Sequence, residues 1–391
     1  MATPAQRTNT WTLDEWYAQS VAGTTGGYNG LGTLYSWGDN EQGQLGFNQP
    51  DNTHKSSPTQ LPGAWPINVS SGGGSCAAIK SDGTLWCWGE NNVGQLGQNT
   101  AGPGGEDRSS PCQVGTDTTW SKVTTGRWYN MAVKTDGTLW VWGVNQSGNL
   151  GKNTINDSRS SPIQIGTETT WAGVKAGSDT SYATKTDGTL WAWGHNTRGN
   201  LGQNNRTYYS SPMQVGTGTD WATGMDKFSC SKSYDMFAVK TDGTLWSWGY
   251  NNAGALGLGH SNRRSSPTQI PGTTWSKIGS RAYGATCIRT DGTLWNWGYN
   301  DNGECGNSSP TSSFESPVQL PGTEWNIVLE AQQGFTGAIR TDGTLWMWGR
   351  NNFGGLGQNN TTNYSSPRQV PGTNWAGGNL GVYNSLCIVE L

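Results

Sequence analysis

The sequence predicts an all-β fold: a seven-bladed β-propeller over residues 29–391, closed by pairing of the C-terminal strand with the first repeat, behind a short helical arm at 1–28. Three observations carry this. A segment of the form DGTLWxWG followed by NxxGxLG, seen as DGTLWCWGENNVGQLG from Asp82 to Gly97, recurs from Asp136, Asp187, Asp242, Asp291 and Asp342. The spacing is about 51 residues, the mark of one repeated supersecondary unit. A degenerate copy, GTLYSWGDNEQGQLG, runs from Gly32 to Gly46. The second observation is composition: 59 glycines and 23 tryptophans in 391 residues fit short twisted strands and tight turns around aromatic cores, not a helical bundle. The third is the chain end. Ser385–Leu391, SLCIVEL, matches the strand before the Asp-Gly turn, and Gly32 begins with the strand that follows such a turn. Pairing the two shuts the ring and removes open sheet edges.

In the arm, Thr12–Glu15 reads TLDE, a capping box, and Trp11 and Trp16 occupy the two positions of a hydrophobic staple. A helix of about two turns from Leu13 to Gln19 follows. So short a helix is marginal alone and has to dock, either on the propeller or on a partner through Trp11 and Trp16.

Each repeat parses alike. Around Asp136, Trp120–Val123 is a short strand, and a variable tract leads to Met131–Lys134. Thr-Asp-Gly-Thr is a hairpin turn, because Asp-Gly tolerates the positive φ that the connection demands. Leu139–Trp142 returns with Leu139 and Val141 on one face and Trp140 and Trp142 on the other. Gly143, Gly148 and Gly151 break the chain, and Ser-Ser-Pro-x-Gln opens the outer strand. All tryptophans but Trp11, Trp16 and Trp128 fall at fixed repeat positions, as wedges between neighbouring sheets.

Net charge is −3 with dispersed Lys and Arg, which gives no electrostatic case for nucleic acid. No apolar stretch approaches the roughly 18 residues that would insert in a membrane, and MATPAQRTNT lacks the apolar core of a secretory signal. The expected location is a virion or the cytoplasm. The seven cysteines lack CxxC spacing and read as buried free thiols. His54, His195 and His260 are isolated, and HExxH, GxSxG and GxxxxGK[ST] are missing, so neither an enzyme nor a cofactor is expected. The repeated Asp of the turn lacks the alternating acidic ligands of a calcium loop.

Two rings of varying residues are candidate surfaces. The first, in the loop before the second strand, holds Gly74, Trp128, Asp179, Tyr234, Tyr283, Gly334 and Tyr383. With Arg127, Tyr129 and Phe335 alongside, it forms an expected partner-binding rim, since aromatics bury much area at little entropy cost. Plugging the channel, or packing on the next sheet, is the other reading of the same residues. The insertion Met225–Met236 makes the fifth loop the longest. The second ring, before Ser-Ser-Pro, is Lys55, Arg108, Arg159, Tyr209, Arg264, Phe314 and Tyr364. These are expected to stack on the repeat tryptophans, with a basic rim as the alternative.

WGENNVGQLG at Trp88–Gly97 and WGDNEQGQLG at Trp37–Gly46 resemble the regulator of chromosome condensation repeat family, over roughly Gly30 to Leu391. The resemblance implies the propeller. It also implies functions as diverse as nucleotide exchange on a small GTPase, ultraviolet-B reception and β-lactamase inhibition. The histidine that the family often carries before the second strand is replaced here by Ser75, Tyr129, Thr180, Asp235, Gly284, Phe335 and Asn384. Trp-rich regular copies behind a WTLDEWY arm are also similar to bacteriophage-encoded proteins. The expected function is a non-catalytic binding or structural protein with a protein partner, as a tail, receptor-binding or capsid-decoration component. The alternatives are a regulator capping an enzyme or GTPase, and a glycan-binding propeller.

Overall fold

The computed structural model describes residues 32–49, 52–65, 68–100, 106–309 and 311–390. The expected arm, with Trp11 and Trp16, lies outside the described residues. Seven four-stranded antiparallel sheets are arranged as blades. Blade 3 shows the pattern from axis to rim: Trp120–Thr125, Tyr129–Lys134, Leu139–Gly143 and Arg159–Ile165. Inner strands touch one another in ring order, from Val69–Ser71 round to Trp375–Leu380 and back, so the sheets stand radially about an axial channel.

Blade 1 closes the circle. From axis to rim it consists of Trp375–Leu380, Asn384–Val389, Thr33–Gly38 and Lys55–Leu61. Leu34 pairs with Ile388 and Trp37 with Ser385, so two strands from each end of the repeat array share one sheet.

The hairpins explain the DGT motif. Gly83 sits at φ +77°, and a Cβ there would lie 1.9 Å from the Thr118 carbonyl. Asp82 Oδ1 accepts from the Thr84 amide (2.9 Å) and hydroxyl (2.6 Å), and Thr84 Oγ1 accepts from Trp86 Nε1 at 2.8 Å. The same relay recurs at Asp136, Asp187, Asp242, Asp291 and Asp342.

The NxxGxLG motif is a latch. Asn145 Oδ1 accepts from the Leu150 amide at 2.9 Å while its Nδ2 donates to the Thr154 carbonyl at 3.0 Å, which curls the loop. The curled loop offers a carbonyl to the next blade: Trp142 Nε1 donates to Gln95, and Trp193 Nε1 to Asn149, both at 2.9 Å. Side-chain alternation then fills the space between blades. Leu139 and Val141 pack toward blade 4, and Trp142 packs toward blade 2 with Leu96 and Val114. All seven cysteines are free; Cys112 and Cys230 are half-buried and the others buried.

The stacking expected of the second ring is corrected for its arginines, whereas Tyr209 and Tyr364 do pack against clusters that hold the repeat tryptophans Trp193, Trp248 and Trp37. The cations over the tryptophans are those two residues before the turn Asp: Lys134, for example, lies 3.8 Å from the Trp140 ring, and Arg340 4.5 Å from that of Trp346. Arg159 instead pairs in the ladder with Gly143, beyond the tryptophan, next to a register shift, and is ion-paired with Asp157 at 2.9 Å. Arg108 pairs with Glu106, Arg264 lies 2.9 Å from His260, and Tyr209 and Tyr364 accept from Asn205 and Asn360. Phe314 packs beside the core that contains Trp297. Among the described residues, no helix is long and apolar enough to cross a membrane.

Candidate partner-binding face

The two ends of the propeller differ. One carries the uniform hairpins. The other carries the loops between first and second strands and those between third and outer strands, which vary in length and sequence. The first ring of varying residues lies on this second face.

The structure divides that ring. Arg127 is exposed and its guanidinium lies 4.0 Å from the ring of half-buried Trp128. Tyr234 stacks at 4.8 Å on His195 of blade 4, which stacks at 4.8 Å on exposed Tyr208; the Tyr234 hydroxyl reaches Asp179 at 3.4 Å. Burial holds His195 below its ordinary pKa, which favours the neutral ring between two phenols. Tyr283 meets Tyr299 at 6.3 Å, and Tyr383 meets Phe353 at 4.8 Å with Arg350 5.3 Å from its ring. Tyr234 and Tyr283 have φ +67° and +56°, an unfavourable backbone for an aromatic residue, so the loops hold these rings at some energetic cost.

Tyr129 and Phe335 do not belong to the rim: they are 1% and 2% exposed. Both begin second strands, where the side chain turns inward. Tyr129 donates its hydroxyl to the Thr180 carbonyl of blade 4 and accepts from Ser181 Oγ at 3.1 Å.

Beneath the rim the channel has a floor that the sequence did not reveal. The seventh blade sends Glu330–Gln332 across the axis. The Glu330 carboxylate pairs with Lys175 of blade 4 at 2.7 Å, and Gln332 Nε2 donates to the carbonyls of Ser71 and Thr125 on blades 2 and 3. Ala331 N–H donates to Ser280 at 3.0 Å and Gln332 N–H to Leu380 at 3.1 Å, which ties in blades 6 and 1. A small cavity of about 20 Å³ remains, lined in part by Lys175, Cys230, Lys232, Glu330 and Gln332. Burial pushes the Lys232 ammonium down to about 7. Only the Ala-Gln-Gln tract after the seventh inner strand distinguished this copy in the sequence.

Other titratable groups serve the loops. Asp235, pushed up to about 7 by burial, accepts from the Asn251 amide at 2.8 Å. Asp39, Glu41 and His54 form the one cluster among the described residues with metal-ligand proximity. Its donors are engaged: Asp39 accepts from Glu41 N–H and Gln44 Nε2, and His54 Nδ1 from Asn40 N–H. The face offers stacked aromatics, guanidiniums and a closed polar floor, which suit surface recognition.

The family model described as RCC1-like domain matches residues 33–387. The human E3 ubiquitin-protein ligase HERC2 is 27% identical over 279 residues, 67% of this chain but 6% of that protein. The Arabidopsis thaliana ultraviolet-B receptor UVR8 is 30% identical over 234 residues, 57% of this chain and 50% of that one. The chain therefore matches half or less of these curated relatives. Among solved structures, yeast RCC1 (Prp20) bound to Kap60 superposes with a TM-score of 0.80 at 20% identity, over 93% of this chain and 90% of that one.

Proposed function

Because the chain belongs to the RCC1-like domain family, we propose that it is a non-catalytic module that presents the loop-bearing face of a rigid propeller to a protein partner. The observation that carries this reading is the half-exposed aromatic and guanidinium belt of Arg127–Trp128, Tyr208–His195–Tyr234, Tyr283–Tyr299 and Phe353–Tyr383 around the channel mouth. Aromatic and Arg side chains held in place are what protein interfaces use as anchors. The opposite face supports no such role, since its cations already lie over tryptophans.

Within that class, a regulator or inhibitor that caps its partner is the reading we favour. Prp20p has been described with its binding to Gsp1p and histones; that is a property of Prp20p, and here it supports only the class of partner, a protein. The relatives reported above come from human, plant and yeast, and lend nothing to a virion role. Glycan stacking is disfavoured because Arg127 occupies a face of the Trp128 ring and the other aromatics are paired among themselves.

The test is affinity purification of the full chain beside two variants. Arg127→Ala/Trp128→Ala/Tyr234→Ala should lose the co-purifying protein, and the hairpin-face variant Asp187→Asn should keep it. Retention by the first variant, or equal loss by both, would exclude this face.

A further inference from the structure

We propose that the loop face carries, over blades 4 and 5, a docking patch for an acidic segment of a protein partner, read by Arg198, Arg206 and Arg263. This rests on the loop-face reading and names the chemistry of the partner. The two loops from third to outer strand, residues 195–209 and 250–264, contain Arg198, Arg206, Arg263 and Arg264 with His195 and His260, and no Asp or Glu, in a chain of net charge −3.

Geometry concentrates that charge. The Arg198 guanidinium of blade 4 lies 4.3 Å from the Tyr250 ring of blade 5, and Arg263 lies 5.5 Å from the same ring. Two cations from adjacent blades thus share one half-buried aromatic. Arg264 is different: it turns back onto His260. Arg206 is exposed, two residues before Tyr208, whose exposure of 43% makes it one of the most exposed large apolar side chains described.

These three arginines carry no internal counter-charge. Arg108 and Arg159 have carboxylates at 3.1 and 2.9 Å, and on the hairpin face Lys134, Lys185 and Lys240 pair with Asp117, Glu168 and Asp220. Arg198, Arg206 and Arg263 form no ion pair with any described residue. Exposed Glu315, whose carbonyl accepts from the Gly259 amide beneath this loop, does not pair with them either. Contact with the Tyr250 ring restrains Arg198 and Arg263 while no described residue accepts from their guanidiniums, which lowers the entropy cost of gripping a carboxylate in bidentate fashion. Tyr208 supplies an adjoining apolar anchor.

The same chemistry favours a short acidic peptide segment over a polynucleotide. A nucleic-acid footprint needs an extended basic stripe that neutralises many phosphates, and a sequence pI of about 5.7 opposes a long polyanion. Two guanidiniums at one ring, with exposed Arg206 on the same blade-4 loop as Arg198, match a few carboxylates.

The experiment is fluorescence anisotropy of the full chain with a glutamate-rich peptide that carries one tyrosine, beside its glutamine counterpart and a single-stranded oligonucleotide. The glutamate peptide should bind saturably and weaken as salt rises from about 50 to about 500 mM. Arg198→Glu/Arg263→Glu should lower its affinity by roughly tenfold or more with an unchanged thermal midpoint, and the Arg→Lys pair should recover part of it. Absent binding, equal binding of the glutamine peptide, indifference to charge reversal, or preference for the oligonucleotide each overturns the proposal. The two readings fail separately. A co-purifying protein lost on Arg127→Ala/Trp128→Ala/Tyr234→Ala while the peptide does not bind keeps the face and sinks the patch; peptide binding without a rim-dependent partner does the reverse.

Discussion

The Trp37 indole donates to the Gly355 carbonyl at 2.7 Å, across 318 residues of sequence. This is the latch seen at every other interface: Trp88 to Gln44, Trp142 to Gln95, Trp193 to Asn149, Trp248 to Asn200, Trp297 to Ala255 and Trp348 to Glu304, at 2.8–2.9 Å. The seam between the chain's two ends is therefore built like an ordinary blade boundary.

Trp37→Phe keeps most of the apolar volume but removes one of two donors to the Gly355 carbonyl, leaving Ser385 Oγ at 2.9 Å as the other. A loss of about 0.5–1.5 kcal/mol in unfolding free energy is expected for the hydrogen bond, with a similar loss for Trp193→Phe, where Ser181 Oγ still donates to the Asn149 carbonyl at 2.7 Å, both measured by chemical denaturation. A neutral Trp37→Phe would mean that the seam is held by strand pairing alone.

Removal of residues 384–391 tests that pairing. Thr33–Gly38 would lose its ladder to Asn384–Val389, and Trp375–Leu380 its neighbour in the sheet. Loss of cooperative unfolding and self-association through the exposed edges are expected, read by near-ultraviolet circular dichroism and size-exclusion chromatography. A monomeric chain with a native-like transition would show that closure is dispensable.

What was legible in the sequence is what repeats. Seven copies average out local accident, so the Asp-Gly turn, the strand alternation at Leu139–Trp142 and the missing mate of Ser385–Leu391 could be read directly. The role of Asn145 could not: its hydrogen bonds to Leu150 and Thr154 depend on how the loop curls, although its recurrence flagged it. The axial floor was hidden for the opposite reason, since Glu330–Gln332 occurs once and its contacts reach five other blades. Trp128 and Tyr129 were placed together because they are neighbours in sequence, and it is the start of a strand that sends one toward solvent and the other inward.

Asp235 gives a pH dependence with a definite sign. Burial raises its pKa from 3.8 to about 7, so across that window the unfolded chain has released a proton that the folded chain still holds. Stability should therefore fall as pH rises from about 4 to 7. Asp235→Asn keeps an acceptor for the Asn251 amide and removes the titration, so its advantage over wild type should grow across the window, measured as thermal midpoints. The turn aspartates, Asp187 among them, are lowered by hydrogen bonds from threonine and act in the other direction, losing their contribution as pH falls below about 4. Parallel profiles for wild type and Asp235→Asn would contradict the buried carboxyl as the source.

Trp128 and Tyr129 separate surface from core by a single step along the chain. Tyr129→Ala empties a site that is 1% exposed between blades 3 and 4 and removes one of two donors to the Thr180 carbonyl, which keeps the Gly177 N–H, so a loss of about 3–5 kcal/mol is expected. Trp128→Ala removes a half-buried ring whose described partner is the exposed Arg127 guanidinium, so stability should change by no more than about 1 kcal/mol. Binding should respond in the reverse order. Trp128→Ala should lose the co-purifying partner while folded, and Tyr129→Phe, which keeps the ring but not the hydroxyl, should retain it. If Trp128→Ala instead unfolds the chain, the ring is a structural wedge and the rim must be redrawn around Tyr234, Tyr283 and Tyr383.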